Sequence, residues 1–223
     1  VDKEMYTFND KGGRSITLRP EATASMVRSY LENKMASLNQ PVKMWCAGPM
    51  FRYERPQKGR FRQFWQVDFE SLGSPSPFAD VETISLALEA FRRLGLSNLE
   101  VVINSVGCPV CRPGYIKKLT AYFESRLDEL CETCRGRLEK NPLRILDCKN
   151  ESCRKTAEGA PAGIDNLCGE CGDHFAAVRE SLDSMGVAYH TDKCLVRGLD
   201  YYTKTAYEVL SGVLGAQNAV CGG

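Results

Sequence analysis

With 223 residues, 43% of them hydrophobic, the chain can build one large domain or one domain carrying a smaller insert. Its 29 lysines and arginines against 28 aspartates and glutamates leave +1, which excludes a globally basic nucleic-acid coat but not a local basic patch. No run of about 18 apolar residues and no charged-then-apolar leader occurs, so neither a membrane span nor a signal peptide is expected.

Met5-Tyr6-Thr7-Phe8, a turn at Asn9-Asp10-Lys11-Gly12-Gly13 and Ser15-Ile16-Thr17-Leu18 predict a short hairpin. Pro20 closes its second strand, and Glu21 opens a helix to about Glu32 with Met26, Val27, Tyr30 and Leu31 on one face. Residues 42–54 and 61–70 read as a second, longer hairpin around Arg55-Pro56-Gln57-Lys58-Gly59-Arg60. A helix follows over 78–94, then a strand over 99–104. The next stretch is cysteine-rich and mostly helical, with helices expected over 115–130 and 175–185. Strand character returns at 187–190 and 207–210. Strands on both sides of a helical insert predict a mixed α/β domain with a largely antiparallel sheet, divided into 1–106, an insert 107–186 and 187–223.

Eight of the eleven cysteines fall in close pairs: Cys108/Cys111, Cys131/Cys134, Cys148/Cys153 and Cys168/Cys171. A two-residue gap lets both sulfurs of a turn converge on one tetrahedral ion, which a disulfide framework does not require. Nineteen residues separate Cys111 from Cys131, a usual zinc interval, and fourteen separate Cys153 from Cys168, a second and looser set of four, while spacing alone leaves open which four sulfurs share an ion. Zn2+ is the expected metal. Cys46, Cys194 and Cys221 read as small core residues, and His174 as a surface histidine at a helix start.

The long hairpin carries the chemistry. Alternation puts Trp65, Val67 and Phe69 on one face, expected to be the buried backing, and Phe64, Gln66, Asp68 and Glu70 on the other, expected to floor a pocket. Met50, Arg52 and Glu54 share a face of the partner strand. Arg52, Arg55, Lys58, Arg60 and Arg62 set five cations against one acid, a cluster that suits a polyphosphate because guanidinium forks take phosphate oxygens in pairs. Composition alone favours a solvated basic hairpin tip.

Here the residues match a family. Phe51-Arg52-Tyr53-Glu54-Arg55-Pro56-Gln57-Lys58-Gly59-Arg60-Phe61-Arg62-Gln63-Phe64 resembles motif 2 of class II aminoacyl-tRNA synthetases in its histidyl form. Leu195-Val196-Arg197-Gly198-Leu199-Asp200-Tyr201-Tyr202 resembles the histidine-recognition signature of the histidyl-tRNA synthetases, and Thr17-Leu18-Arg19-Pro20-Glu21-Ala22-Thr23 their amino-acid-binding segment. The resemblance implies a class II antiparallel sheet flanked by helices, carrying an inserted Cys-rich domain that reaches toward the tRNA acceptor arm. It implies ATP with Mg2+, L-histidine and tRNA(His) as substrates and partners, a homodimer in the full-length parent, no membrane and a cytoplasmic location. Histidine would be joined to AMP and then passed to the tRNA 3′ end.

The roles are carried over residue by residue. Arg52 and Arg197 would stabilise the α-phosphate during reaction. Arg60 would grip the terminal phosphates, with Phe64 stacked on adenine and Glu54 beside it. Glu21, Thr23 and Gln66 would hold the ammonium of histidine, and Glu70 with Tyr202 would read its imidazole. Without the motifs, Glu21 reads as a first-turn acid on a helix dipole, and Tyr201 as an ordinary strand aromatic. Lys117, Lys118, Arg135, Arg137 and Lys140 could touch tRNA phosphates or simply form solvated helix faces. The family's motif 1 and motif 3 are expected outside Val1–Gly223, so the chain reads as the middle of a catalytic core. Two other classes fit parts of the pattern: a histidine sensor like the regulatory subunit of ATP phosphoribosyltransferase, and a zinc-stabilised RNA-binding module.

Overall fold

Alternating side chains and turn residues set the first elements. In the computed structural model, which describes residues 4–56, 59–197, 201–214 and 218–223, the chain forms two compact units. Residues 1–86 with 212–218 make the first, and 87–211 with 219–223 the second. Gln57 and Lys58 of the hairpin tip, and Gly198-Leu199-Asp200 of the recognition segment, lie outside the described residues.

In the first unit β1 (Thr7–Asn9) pairs antiparallel with β2 (Ser15–Thr17). The Asp10 carboxylate closes their turn by accepting the Gly12 and Arg14 amides at 2.8 and 2.9 Å, an Asx-type closure that leaves the backbone few alternatives. Helix α1 (Thr23–Glu32) starts two residues later than Glu21, whose carboxylate instead accepts the Ala24 amide at 3.3 Å and so satisfies one open donor of the first turn. Strands β3 (Val42–Phe51) and β4 (Gln63–Leu72) form the long hairpin, pairing Cys46 with Asp68, Gly48 with Gln66 and Met50 with Phe64.

The hairpin is covered on the opposite face from the one expected. Met50 packs with Ala22 and Met26 in a small buried core, with Met44, Cys46 and Phe64 against it, so α1 covers the polar face. Trp45, Trp65, Val67 and Phe69 are open to solvent, Trp65 being 74% exposed. A two-stranded sheet has two faces and α1 supplies only one cover. Alternation sorts side chains between faces but does not say which face is covered.

Helix α2 (Pro77–Arg93) carries the chain into the second unit. There β5 (Leu99–Ser105) lies inside a four-stranded sheet of order β6-β5-β7-β8, with β6 (Tyr189–Thr191), β7 (Thr205–Ser211) and β8 (Ala219–Gly222). The β5–β7 and β7–β8 pairs are antiparallel, but β5–β6 is parallel. Between β5 and β6 run α3 (Arg112–Glu124), α4 (Glu132–Lys140), α5 (Leu143–Leu146), α6 (Glu151–Glu158) and α7 (Gly169–Ser184). A parallel pair needs a crossover of this kind.

The helix expected over 115–130 breaks after Glu124, where the Ser125 hydroxyl donates to the Tyr122 carbonyl and competes with the helical ladder. Tyr115, Leu119 and Phe123 of α3 pack with Leu138, Ile145 and Ala157 in a core that also takes in Cys134, Cys148 and Cys153. Tyr201, expected in a strand, lies in a turn.

Candidate functional site

The first unit holds an acidic floor. Because β4 alternates, Phe64, Gln66, Asp68 and Glu70 share the half-buried face above α1. Gln66 donates its amide to Asp68 at 2.6 Å, and the Thr23 hydroxyl donates to Glu70. Burial pushes both Asp68 and Glu70 above the ordinary carboxylate range, and the nearby charge of Glu21 raises each further. The carbonyl oxygen of Gln66 is buried with no hydrogen-bond partner. Three carboxylates near an unpartnered acceptor make a half-buried acidic surface suited to a cation with several N–H donors.

Beside this floor lie the phosphate-type groups. Arg52 donates Nε to the Pro20 carbonyl at 2.7 Å and lays its guanidinium 5.0 Å from the centre of the Phe64 ring. Glu54 stands between two cations, 2.9 Å from Arg60 and 3.9 Å from Arg52. Thus Glu21, Thr23, Gln66, Glu70, Arg52, Glu54, Arg60 and Phe64 all belong to the first unit. Cys46, expected in the core, is half-buried on the same floor, its thiol 3.9 Å from Asp68. Asp68, on the floor, and Arg19, within the Thr17–Thr23 segment, lie in the same unit, and no role was carried over to either. Arg19 donates Nε to the Pro49 carbonyl at 2.8 Å, and a Cβ on Gly48 would come within 2.8 Å of its Nη2. Strand alternation was signal enough to find Asp68, and Arg19 lies inside the Thr17–Thr23 segment that resembles the family's amino-acid-binding motif.

Arg197 and Tyr202 belong to the second unit. Arg197 is paired with Glu208 at 2.6 Å, and its guanidinium carbon lies 5.8 Å from the Tyr202 ring centre. Its Nε is buried without a hydrogen-bond partner. A Cβ at Gly222 would lie 2.5 Å from Arg197 Nη1, so a side chain there would displace the guanidinium. The buried Asn104 of β5 donates to the Leu195 carbonyl at 2.9 Å and holds the strand-like lead into Arg197. Arg197, Tyr202 and Arg112 line a cleft of about 960 Å3 together with residues of α3 and α4. Of the basic residues expected near tRNA, Arg135 and Lys140 line this cleft. Arg137 instead donates to the Arg144 carbonyl, and Lys118 reaches Asn166.

All eight paired cysteines converge, but in different sets of four from those the intervals suggest. Cys108, Cys111, Cys168 and Cys171 form one cluster, and Cys131, Cys134, Cys148 and Cys153 the other, the sulfurs of each within 4.8 Å of one another. The second set is nested inside the first. Sequence intervals cannot show this, because the fold of α3 to α7 brings the outer pairs together across 56 intervening residues. Sulfurs bound about 2.3 Å from one tetrahedral zinc ion lie ~3.8 Å apart. Cys108 lies 3.7 Å from Cys111 and 3.8 Å from Cys168, and Cys131 lies 3.9 Å from Cys148. Amide hydrogen bonds from Cys111 and Val110 draw the Cys108 thiol down to about 6, and a bond from the Cys134 amide draws Cys131 to about 7. Both therefore favour thiolate near neutral pH. Burial pushes the Cys134 and Cys171 thiols upward. Gly107 opens the first knuckle at φ 67°, where a side chain is strained, and a Cβ would also approach Cys111 Sγ to 2.8 Å. His174 is buried within α7, rather than exposed at its start, and belongs to neither cluster.

The family model described as histidyl-tRNA synthetase matches residues 1–109. A curated protein of Desulforudis audaxviator named histidine–tRNA ligase is 59% identical over all 223 residues, which span 53% of its own length. One from Halothermothrix orenii with the same name is 57% identical, again over the whole chain and 53% of that protein. The chain therefore spans about half the length of the curated relatives it matches. Among solved structures, an apo histidyl-tRNA synthetase of S. aureus superposes with a TM-score of 0.72 at 42% identity, covering 92% of this chain and 48% of that one. Its mixed α/β architecture is that of the class II fold. Along its full length in sequence, and over 92% of it in fold, the chain is similar to about half of these histidyl-tRNA synthetases.

Proposed function

We propose that the full-length protein carrying this chain is a histidine–tRNA ligase, which activates histidine with ATP and transfers it to tRNA(His). One observation carries the reading: the floor of Glu21, Gln66, Asp68 and Glu70, with the buried Gln66 oxygen unpartnered. Such a floor matches the ammonium of an amino acid, and its buried polar groups penalise ligands that leave them unpaired.

In this reading Glu21, Thr23 and Gln66 hold the ammonium, while Glu70 and Tyr202 read the imidazole nitrogens. Activation is attack of the histidine carboxylate on the α-phosphorus of ATP, giving histidyl-adenylate and pyrophosphate. Negative charge grows on the α-phosphoryl oxygens, and Arg52 and Arg197 supply fixed guanidinium groups for it. Each is already held by its own partners, Arg52 by the Pro20 carbonyl and Arg197 by Glu208, so little reorganisation is needed when charge develops. Arg60 would exchange Glu54 for the terminal phosphates, with Mg2+ arriving as part of the nucleotide substrate. Phe64 would receive the adenine, one face of its ring being taken by Arg52.

The two thiol clusters suit Zn2+, which would supply tetrahedral cross-links rather than chemistry on the substrate. Residues 107–186 would form an inserted domain between two parts of the catalytic core. A homodimeric, cytoplasmic enzyme completes the proposal; among the described residues no helix is long and apolar enough to cross a membrane.

Histidine-dependent ATP–pyrophosphate exchange by the full-length protein is the test. Arg52→Ala should slow it by roughly two to three orders of magnitude, as expected for loss of one fixed donor to developing charge. Histidine binding without any exchange would instead favour a sensor, and tRNA binding with neither would favour an RNA-binding module.

A further inference from the structure

Arg112 follows Cys111 directly, yet its side chain points back into the sheet end of the second unit. Its Nε donates to the Val106 carbonyl at 3.1 Å, and its Nη2 to the Gly107 carbonyl at 3.2 Å and to the carbonyl of Tyr202. The segment just after Tyr202 is tied to the same place. The Lys204 amide donates to the Gly107 carbonyl at 2.8 Å, and the Val106 amide to the Lys204 carbonyl at 2.8 Å. Lys204 adopts φ 58°, a left-handed conformation that a residue with a side chain avoids unless its surroundings impose it. From the other side, Glu170 takes the Lys204 ammonium at 2.8 Å. Glu170 lies between Cys168 and Cys171, the second pair of the first thiol cluster.

Residues 202–204 are therefore clamped by both knuckles of that cluster: Gly107 and Arg112 border Cys108 and Cys111, and Glu170 lies between the other two ligands. The knuckles are far apart in sequence, with 56 residues between Cys111 and Cys168, and their four sulfurs are where they converge. We propose that Arg112 and Glu170 are positioning residues for Tyr202, and that a thiophilic divalent cation in the Cys108/Cys111/Cys168/Cys171 cluster sets the affinity for histidine through this clamp. The proposal rests on the reading of Tyr202 as a histidine-recognising residue. The second cluster lies in the helical core, against which Cys194 and Val196 pack, but among the described residues it makes no hydrogen bond to residues 202–204, and its role is stability.

The clamp predicts a selective defect, because Arg52, Glu54, Arg60 and Phe64, assigned to ATP, lie in the first unit and are not part of it. In the full-length protein, Arg112→Gln and Glu170→Gln should each raise the histidine KM about tenfold and leave the ATP KM within about twofold. Stripping zinc with 1,10-phenanthroline, magnesium being left in place, should speed hydrogen exchange at the Val106 and Lys204 amides at least tenfold. The amides of the β5–β7 ladder should stay protected, and zinc should restore the rest. Equal protection with and without metal, or a protein that binds no metal at this cluster, would overturn the proposal. So would unchanged histidine KM values in both variants, or a parallel loss of both KM values, turnover and ladder protection, which marks a merely structural role. Absence of histidine-dependent exchange in the wild type is a different failure: it removes the ligase reading and the link to histidine, while the hydrogen-exchange comparison still reads the clamp itself.

Discussion

Asp68 is half-buried, accepts a hydrogen bond from Gln66 and stands near Glu21 and Glu70, and burial holds its carboxyl above the ordinary value. A carboxyl raised in the folded state is more protonated folded than unfolded. Its ionisation therefore opposes folding, and stability falls as pH rises from the ordinary carboxylate value through the raised one. Asp68→Asn removes that cost and keeps an acceptor for Gln66, so the melting temperature at pH 7 should be unchanged or higher. Histidine binding should suffer, because a charge-assisted contact to the ammonium is worth about 1.5–3 kcal/mol. The histidine KM is expected to rise roughly tenfold or more, measured by exchange kinetics beside a thermal melt. A lowered melting temperature with unchanged KM would show that Asp68 serves the fold and not the ligand. Alternation along β4 was enough to place Asp68 beside Gln66 and Glu70. Residue type could not show that Gln66 keeps an unpartnered oxygen there, since that depends on how α1 closes over the floor.

At the scale of elements, the long hairpin was legible to within three residues at each strand end, from its alternation and the turn residues between its strands. Which side is covered was not. Trp45 and Trp65 are 71% and 74% exposed, and they are the only tryptophans of the chain. The 223-residue chain by itself should accordingly emit with the maximum of solvated indole, and acrylamide should quench nearly all of its fluorescence. A blue-shifted, protected emission would mean that this face is covered in the isolated chain. The parallel β5–β6 pair was equally hidden, because strand direction follows from the crossover through α3–α7 and not from the composition of residues 189–191.

For the molecule as a whole, the two thiol clusters divide the labour of holding the second unit. One lies in the helical core beside Ile145 and Ala157, and the other closes the outer pairs around it. Without a metal, this unit must hold eight thiols at close quarters, four of them buried, and burial pushes Cys134 and Cys171 above the ordinary thiol range. Two zinc ions per chain are therefore expected by metal analysis of the full-length protein. Their removal should cost on the order of 5 kcal/mol and lower the melting temperature by about 10–20 °C, with loss of helical circular dichroism. One ion per chain, or none, would require one or both clusters to stand as reduced thiols.

The amino-acid sequence by itself determined the chemical groups and their local order: the arginine-rich hairpin, the alternating acids of β4, the cysteine pairs and the recognition segment around Arg197 and Tyr202. These depend on spacings of two to four residues, over which backbone geometry is fixed by the secondary structure alone. Only the tertiary structure decided which sulfurs meet, which face of the hairpin α1 covers, and that Arg112 reaches the Tyr202 carbonyl. Those are contacts between distant segments, set by how helices pack and close loops, and no local pattern encodes them.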